Sequence, residues 1–217
     1  MVGKPKGRIA PRLDDTLLTP DFSEQLASGS IHDAAAADTA LPPLLSPRGQ
    51  SVSIEGCRLR GITLSDPRAQ RLRMRDAHIE GSDLANINLT GSVLERVEIR
   101  STRLTGATCN EAQWSSVLFH ECKLNLALMR MARLEHCVFE HCNLIEADFY
   151  AADLSGVIFR KCDLSRADLS HAKLTGADIR DCRIDGIRGT PASMAGLLIS
   201  ADQAALLITL FGVRVDL

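Results

Sequence analysis

The chain has 217 residues, 45% hydrophobic and only 4% aromatic, with 25 basic against 27 acidic side chains and a formal charge of −2. No run of about 18 apolar residues occurs, which excludes a membrane-spanning helix. The near-neutral balance also argues against direct binding to nucleic acid, which needs a basic excess.

In chain order, the first segment differs from the rest. Six of the eight prolines fall in residues 1–50, together with "DAAAADTALPPLLSPRG", and this composition predicts a largely irregular, flexible arm. Leu17 with Leu18, and Leu41 with Leu44 and Leu45, are short apolar groups available to dock elsewhere. The opening "MVGKPKGRIAPRLDD" has no apolar core of a secretory signal, so the expectation is a cytoplasmic chain with reduced thiols.

From residue 51 to residue 188 an apolar residue returns at every fifth position, as in "EADFYAADLSGVIFRKCDLSRADLSHAKLTGAD". A step of five advances a helix by about 140° and points successive residues all round the cylinder. On a continuous strand an odd step flips the side chain to the other face. The residue two before each large one resolves this: Ala147 before Phe149, Ala152 before Leu154 and Cys162 before Leu164 are small. Two residues apart on an extended segment share a face, so each repeat is a tiny strand with a small and a large residue inward. The chain must then turn a corner before the next pair. The large position runs from Ile54 to Ile184 without a slip, giving 27 repeats at spacing five.

Cys122, Cys142, Cys162 and Cys182 fall 20 apart at the small position. With no C-x-x-C pair or fixed Cys/His spacing they read as buried filler, so no metal or cofactor is expected. The histidines, among them His78, His120, His136, His141 and His171, fall at corner or outward sites. No nucleophile motif, P-loop or dinucleotide glycine signature occurs, and no catalytic residue is assigned. Between the inward pairs the outward residue is usually polar, but Leu118, Val138 and Ile158 lie 20 apart and predict one apolar stripe. The N-terminal arm, a second subunit or a foreign partner could cover it. Leu126, Leu128 and Met131 make a smaller second patch.

Residues 189–217 form a third unit. Ser200 precedes Gln203 at capping-box spacing and Gly212 closes the run "ADQAALLITLF", which predicts a helix. Its apolar residues span an arc of roughly 200°, wide enough both to cap the repeat region and to meet a second copy.

The repeats Ala152-Asp153-Leu154-Ser155-Gly156, Ala167-Asp168-Leu169-Ser170-His171 and Ala177-Asp178-Ile179-Arg180-Asp181 closely resemble those of the pentapeptide repeat proteins. The resemblance implies an all-β fold, a right-handed quadrilateral β-helix with four repeats per coil and just under seven coils in the 27 repeats. Residues 20 apart should then stack. The end "ASMAGLLISADQAALLITLFGVRV" is similar to the C-terminal segment of the gyrase-binding members associated with quinolone resistance, whose dimers imitate DNA. That likeness implies a homodimer through Leu206, Leu207, Leu210 and Phe211, and DNA gyrase as partner. It makes the outward acids Glu146, Asp148, Asp153, Asp163, Asp168, Asp178 and Asp181 surrogates for phosphates. The unbroken register lacks the looped insertions of some members.

Charge opens a second reading. A decoy for a polyanion site should be strongly negative, yet residues 146–185 hold eight acids against six bases, again −2. The alternative is a protein-interaction scaffold whose partner binds the apolar stripe or the arm.

Overall fold

A large residue at every fifth position stays inside only if the backbone turns between repeats. In a computed structural model of the protein, which describes residues 7–13, 16, 17, 19, 24, 25, 28–41, 51–64 and 68–214, the turn is a single left-handed residue. Positive φ recurs at every fifth position from Arg71 to Gly176. The residues there are mostly polar, short or glycine, and β-branched ones, which suffer most in this region, are absent from the series. On either side the inward pairs are sealed: Ala147, Phe149, Ala152 and Leu154 are each 0% exposed.

The resulting strands are short. They are β1 (Ser30–His32), β2 (Ala35–Ala37), β3 (Ala40–Leu41), β4 (Ser53–Glu55), β5 (Arg58–Arg60) and β6 (Thr63–Leu64), then β7 (Arg73–Glu80) and β8 (Val93–Arg100). The last two run through a corner and cover two sides. Further on come β9 (Gln113–Ser115), β10 (Leu118–His120), β11 (Arg133–Glu135), β12 (Val138–Glu140) and β13 (Ile158–Arg160). All pairings are parallel, and from β4 onward the register is 20 residues, as in Phe119 opposite Phe139 and Phe139 opposite Phe159. Isolated bridges carry the same register on to Asp178 and Leu198. The fold is the β-solenoid that the repeat requires.

Part of the N-terminal segment expected to be an irregular arm is strand instead. Residues 30–41 form a coil of their own, with β1 on β4, β2 on β5 and β3 on β6 at an offset of 23 residues. Ile31, Ala36 and Leu41 keep the period of five and are buried. Since Ser53 pairs with Arg73 at an offset of 20, three extra residues fall between Leu41 and Ser53 and shift the frame. Leu18, Leu44 and Leu45, offered as docking groups, lie outside the described residues.

Inside, equivalent side chains stack. The rings of Phe119, Phe139 and Phe159 lie 4.8 and 5.0 Å apart and within 9° of parallel, each such pair adding about 0.5–1.5 kcal/mol to the burial itself. Trp114 Nε1 donates to Ser92 Oγ at 3.1 Å, so its N–H is satisfied in the core. The cysteine column is ordered in the same way. Cys162 Sγ donates to the carbonyls of Phe139 and Arg160, both at 3.4 Å, and Cys122 and Cys142 repeat the pattern.

Helix α1 (Ala201–Leu210) closes the far end. Gln203 Oε1 accepts the Ser200 N–H at 2.9 Å, while its Nε2 donates to the carbonyls of Ile179 at 2.8 Å and Cys182 at 2.7 Å. Gln203 therefore supplies the terminal coil with the donor that another coil would have brought. Leu207, one turn on, is the second buried residue of the helix and joins the core. Its assignment to a dimer contact is thus corrected, because it faces the coil end.

Candidate interaction surfaces

Four surfaces stand out in the sequence: the outward acids, the apolar stripe, the smaller patch of Leu126, Leu128 and Met131, and the terminal helix. Among the acids, Asp148, Asp153, Asp163, Asp168 and Asp178 each accept the backbone N–H two residues on, at 2.9–3.2 Å. That bond fixes the turn, which is the physical reason for Asp beside each inward Leu.

Their second oxygens, and Glu146, meet basic side chains. Glu146 lies 2.7 Å from Arg166, Asp148 2.6 Å from Arg130 and Asp178 2.8 Å from Arg180. Asp153–Lys173, Asp168–Arg188 and Asp163–Arg183 are looser, at 3.5, 3.5 and 3.7 Å. The Arg180 guanidinium holds the Asp178 carboxyl below its usual range, and hydrogen bonds from Ser155 do the same for Asp153. Exposed pairs of this kind add only about 0–1 kcal/mol each to stability. Their larger effect is on the field, since six of the seven acids carry a local countercharge.

The stripe is largely covered. Leu118 is 6% and Val138 1% exposed although both point away from the core; Ile158 is half-buried. Residues of the 7–13 segment lie along this face. Gly7 sits against His136, Arg8 Nη2 meets Glu98 Oε1 at 2.5 Å, and the Arg12 N–H donates to Asp76 Oδ1 at 2.9 Å. From residue 7 to residue 12 the arm descends from the coil of His136 to that of Asp76, opposite to the direction in which the coils grow. Gly7 has φ +98°, and a Cβ there would stand 2.6 Å from the His136 ring nitrogen, so the close approach needs glycine. Sequence reasoning missed Gly7, Arg8 and Arg12, since Arg8 and Glu98 are 90 residues apart with no period linking them.

The second patch stays open. Leu126, Leu128 and Met131 are exposed, joined by Tyr150, whose ring stacks edge-on with His171. On α1, Leu206, Ile208 and Leu210 are exposed, as are Phe211 at its C-cap and Val213 just beyond.

Among the described residues no group of three or more His, Cys, Asp or Glu side chains could hold a metal ion, and no helix is long and apolar enough to cross a membrane. All seven cysteines are buried thiols, with burial pushing Cys109 and Cys137 up to about 12.

Comparison with known families matches residues 132–203 to "Pentapeptide repeat region" and residues 73–108 to "Pentapeptide repeats (8 copies)". No curated protein matches the sequence. Among solved structures, the plasmid-mediated fluoroquinolone resistance protein QnrB1, in one of its trypsin-treated variant forms, is 20% identical over 86% of this chain and 90% of its own, with a TM-score of 0.39. HetL, a pentapeptide repeat protein involved in heterocyst differentiation regulation in the cyanobacterium Nostoc, is 19% identical over 83% and 94%, with a TM-score of 0.34. A pentapeptide repeat protein of the Arabidopsis thaliana thylakoid lumen is 20% identical over 49% and 64%, with a TM-score of 0.17.

Proposed function

Because the chain belongs to the pentapeptide repeat proteins, we propose that it works by protein contact, as a homodimeric interaction scaffold joined through α1. The observation that carries this reading is the division of labour within the helix. Gln203 and Leu207 suffice to plug the coil end, yet Leu206, Ile208, Leu210 and Phe211 remain exposed. At about 100° per residue Leu206 with Leu210 and Ile208 with Phe211 flank the docked face on its two sides, and exposed apolar side chains grouped around one element suggest a contact site. Leu206, Leu210 and Phe211 of the sequence assignment remain in the proposed interface, and Ile208 takes the place of Leu207. Sedimentation velocity tests it: wild type is expected at dimer mass, and Leu210→Asp with Phe211→Asp at monomer mass with an unchanged circular dichroism spectrum. Monomeric wild type at high micromolar concentration would sink the dimer.

The second reading is a DNA-mimicking modulator of DNA gyrase, favoured by the apolar helix standing where the C-terminal sequence likeness puts the dimer contact. On that reading, purified protein inhibits gyrase supercoiling or protects the enzyme from a fluoroquinolone, and the Leu210→Asp/Phe211→Asp variant does neither. The arginine and lysine partners of Glu146, Asp148, Asp153, Asp163, Asp168 and Asp178 weigh against it. Neutralised carboxylates attract a cationic saddle less than phosphates do.

A further inference from the structure

We propose that Cys162 and Cys182 form an oxidisable thiol pair at the capped end of the solenoid, which a peroxide converts into a disulfide between the last two coils of the cysteine column.

The four cysteines of the column are not equivalent. Cys122, Cys142 and Cys162 are 1–3% exposed, and each donates its S–H to two carbonyls at 3.3–3.5 Å. Cys182 is 8% exposed, and its thiol hydrogen-bonds with Cys162, at both the thiol and the backbone. Beyond Cys182 the column meets α1, whose Gln203 Nε2 donates to the Cys182 carbonyl at 2.7 Å. The pair thus joins the sulfur nearest to solvent to one that is fixed in place.

The backbone puts the two within bridging reach. The Arg183 N–H donates to the Cys162 carbonyl at 2.9 Å, and Asp163 pairs with Arg183 in the parallel register. Neighbouring strands lie about 4.8 Å apart, inside the roughly 4.4–6.8 Å that disulfides span between Cα atoms. Closing two sulfurs to about 2.05 Å draws the coils together. Cys142 contacts a thiol on either side, Cys122 and Cys162, and is held between complete coils. Cys182 lies in the end coil, which yields more readily. A bridge made under strain is also easily reduced, which suits a reversible mark.

The chemistry balances with a hydroperoxide as oxidant. The Cys182 sulfur attacks the distal peroxide oxygen; an S–O bond forms, the O–O bond breaks, and the thiol proton leaves on the departing oxygen. The Cys162 sulfur then attacks the sulfenic sulfur of Cys182; the S–S bond forms, the S–O bond breaks, and hydroxide leaves as water with the Cys162 proton. Two electrons pass from the thiol pair to the peroxide.

The test treats the folded full chain with hydrogen peroxide, blocks the remaining thiols with iodoacetamide in urea, and maps disulfides in a tryptic digest by mass spectrometry. The pair lies on its own short peptides, CDLSR from residue 162 and DCR from residue 181, while Cys122 and Cys142 fall on others. The expected result is CDLSR joined to DCR, with loss of two of the seven thiols and full reversal by dithiothreitol. Cys182→Ser should abolish the link and Cys142→Ser should leave it. Buried Ser82 and Ser92 hold equivalent small positions, so these variants keep the fold. Seven intact thiols, a main link of Cys162 to Cys142, or Cys182 carried to sulfinic acid without a partner overturns the proposal. So does an equal yield of the CDLSR–DCR link from a chain oxidised in urea, because the folded contact is what selects the pair. None of these outcomes depends on whether α1 joins two copies.

Discussion

Two sides of the same coils carry outward apolar residues and treat them oppositely. Leu118 and Val138 are 6% and 1% exposed, whereas Leu126 and Met131, a few residues away in sequence, are 50% and 54% exposed. The repeat has decided only that all four point out of the core. The less exposed pair lies on the face along which residues 7–13 run, a segment that obeys no repeat at all. Periodic sequence sets the scaffold, and aperiodic sequence decides how much of its outside is available.

The contrast is sharpest within α1, where both kinds of residue share one element. Leu207→Asp places an unpaired charge against the coil end and is expected to cost about 3–5 kcal/mol, by analogy with breaking a buried pair, seen as a large drop in urea midpoint. Phe211→Asp should leave that midpoint nearly unchanged, within roughly 0.5 kcal/mol, and act on association alone. A comparable fall for Phe211→Asp would show that the helix tip is part of the fold. Gln203→Leu removes the acceptor of the Ser200 N–H and the side-chain donor to the carbonyls of Ile179 and Cys182, of which Ile179 keeps the Cys182 N–H, with an expected loss of about 1–3 kcal/mol. Fraying of Ser200 and the Cys182 coil in hydrogen exchange would check it.

Next in size is the covered side itself. Val138→Ala removes two buried methyl-sized groups and should cost about 1.6 kcal/mol, against almost nothing for Met131→Ala. Equal midpoints for the two variants would mean that the arm leaves Val138 wet in solution. The smallest effect is on pH. Burial holds the His78 imidazole below its ordinary value, against the pull of Glu98 and Glu80 and alongside Arg100 and Arg58. A base whose folded pKa is lowered is protonated more readily when released, so the covered state should weaken as pH falls below about 6.5. Glu98, lowered by Arg8 and Arg100 in spite of its burial, adds to the loss only in the acid range below the ordinary carboxylate value. Tryptic cleavage after Arg8 should therefore rise from pH 7.5 to pH 5.5 once corrected for the enzyme's own profile, and His78→Asn should flatten the rise.

The inward positions were readable because stacking is local: a residue's neighbours sit 20 places away, and the column of Phe119, Phe139 and Phe159 can be found by counting. The helix was readable from Ser200 and Gln203. The same register also pairs charges on the outside of the coils. Glu146 and Arg166, Asp153 and Lys173, Asp163 and Arg183, and Asp168 and Arg188 are all 20 apart, so their pairing was implied by the register. The first coil escaped because three added residues move it out of frame while Ile31, Ala36 and Leu41 keep the period. Leu207 was misassigned because arc width alone does not say which part of a helix faces its neighbour. The docking of Gly7, Arg8 and Arg12 depends on surfaces assembled from distant coils, and no local pattern encodes that.

Gln203 has one consequence for the size of the molecule. Its side chain reproduces the bonding of a coil that is not there, and the carbonyls it seeks recur identically every 20 residues. Removing one whole coil would present it with Phe159 and Cys162 in place of Ile179 and Cys182, and the rod would end just as well, about 4.8 Å shorter. The terminus is thus a portable stop, and the reach of the protein is a number that gene duplication can change in whole steps without redesigning either end.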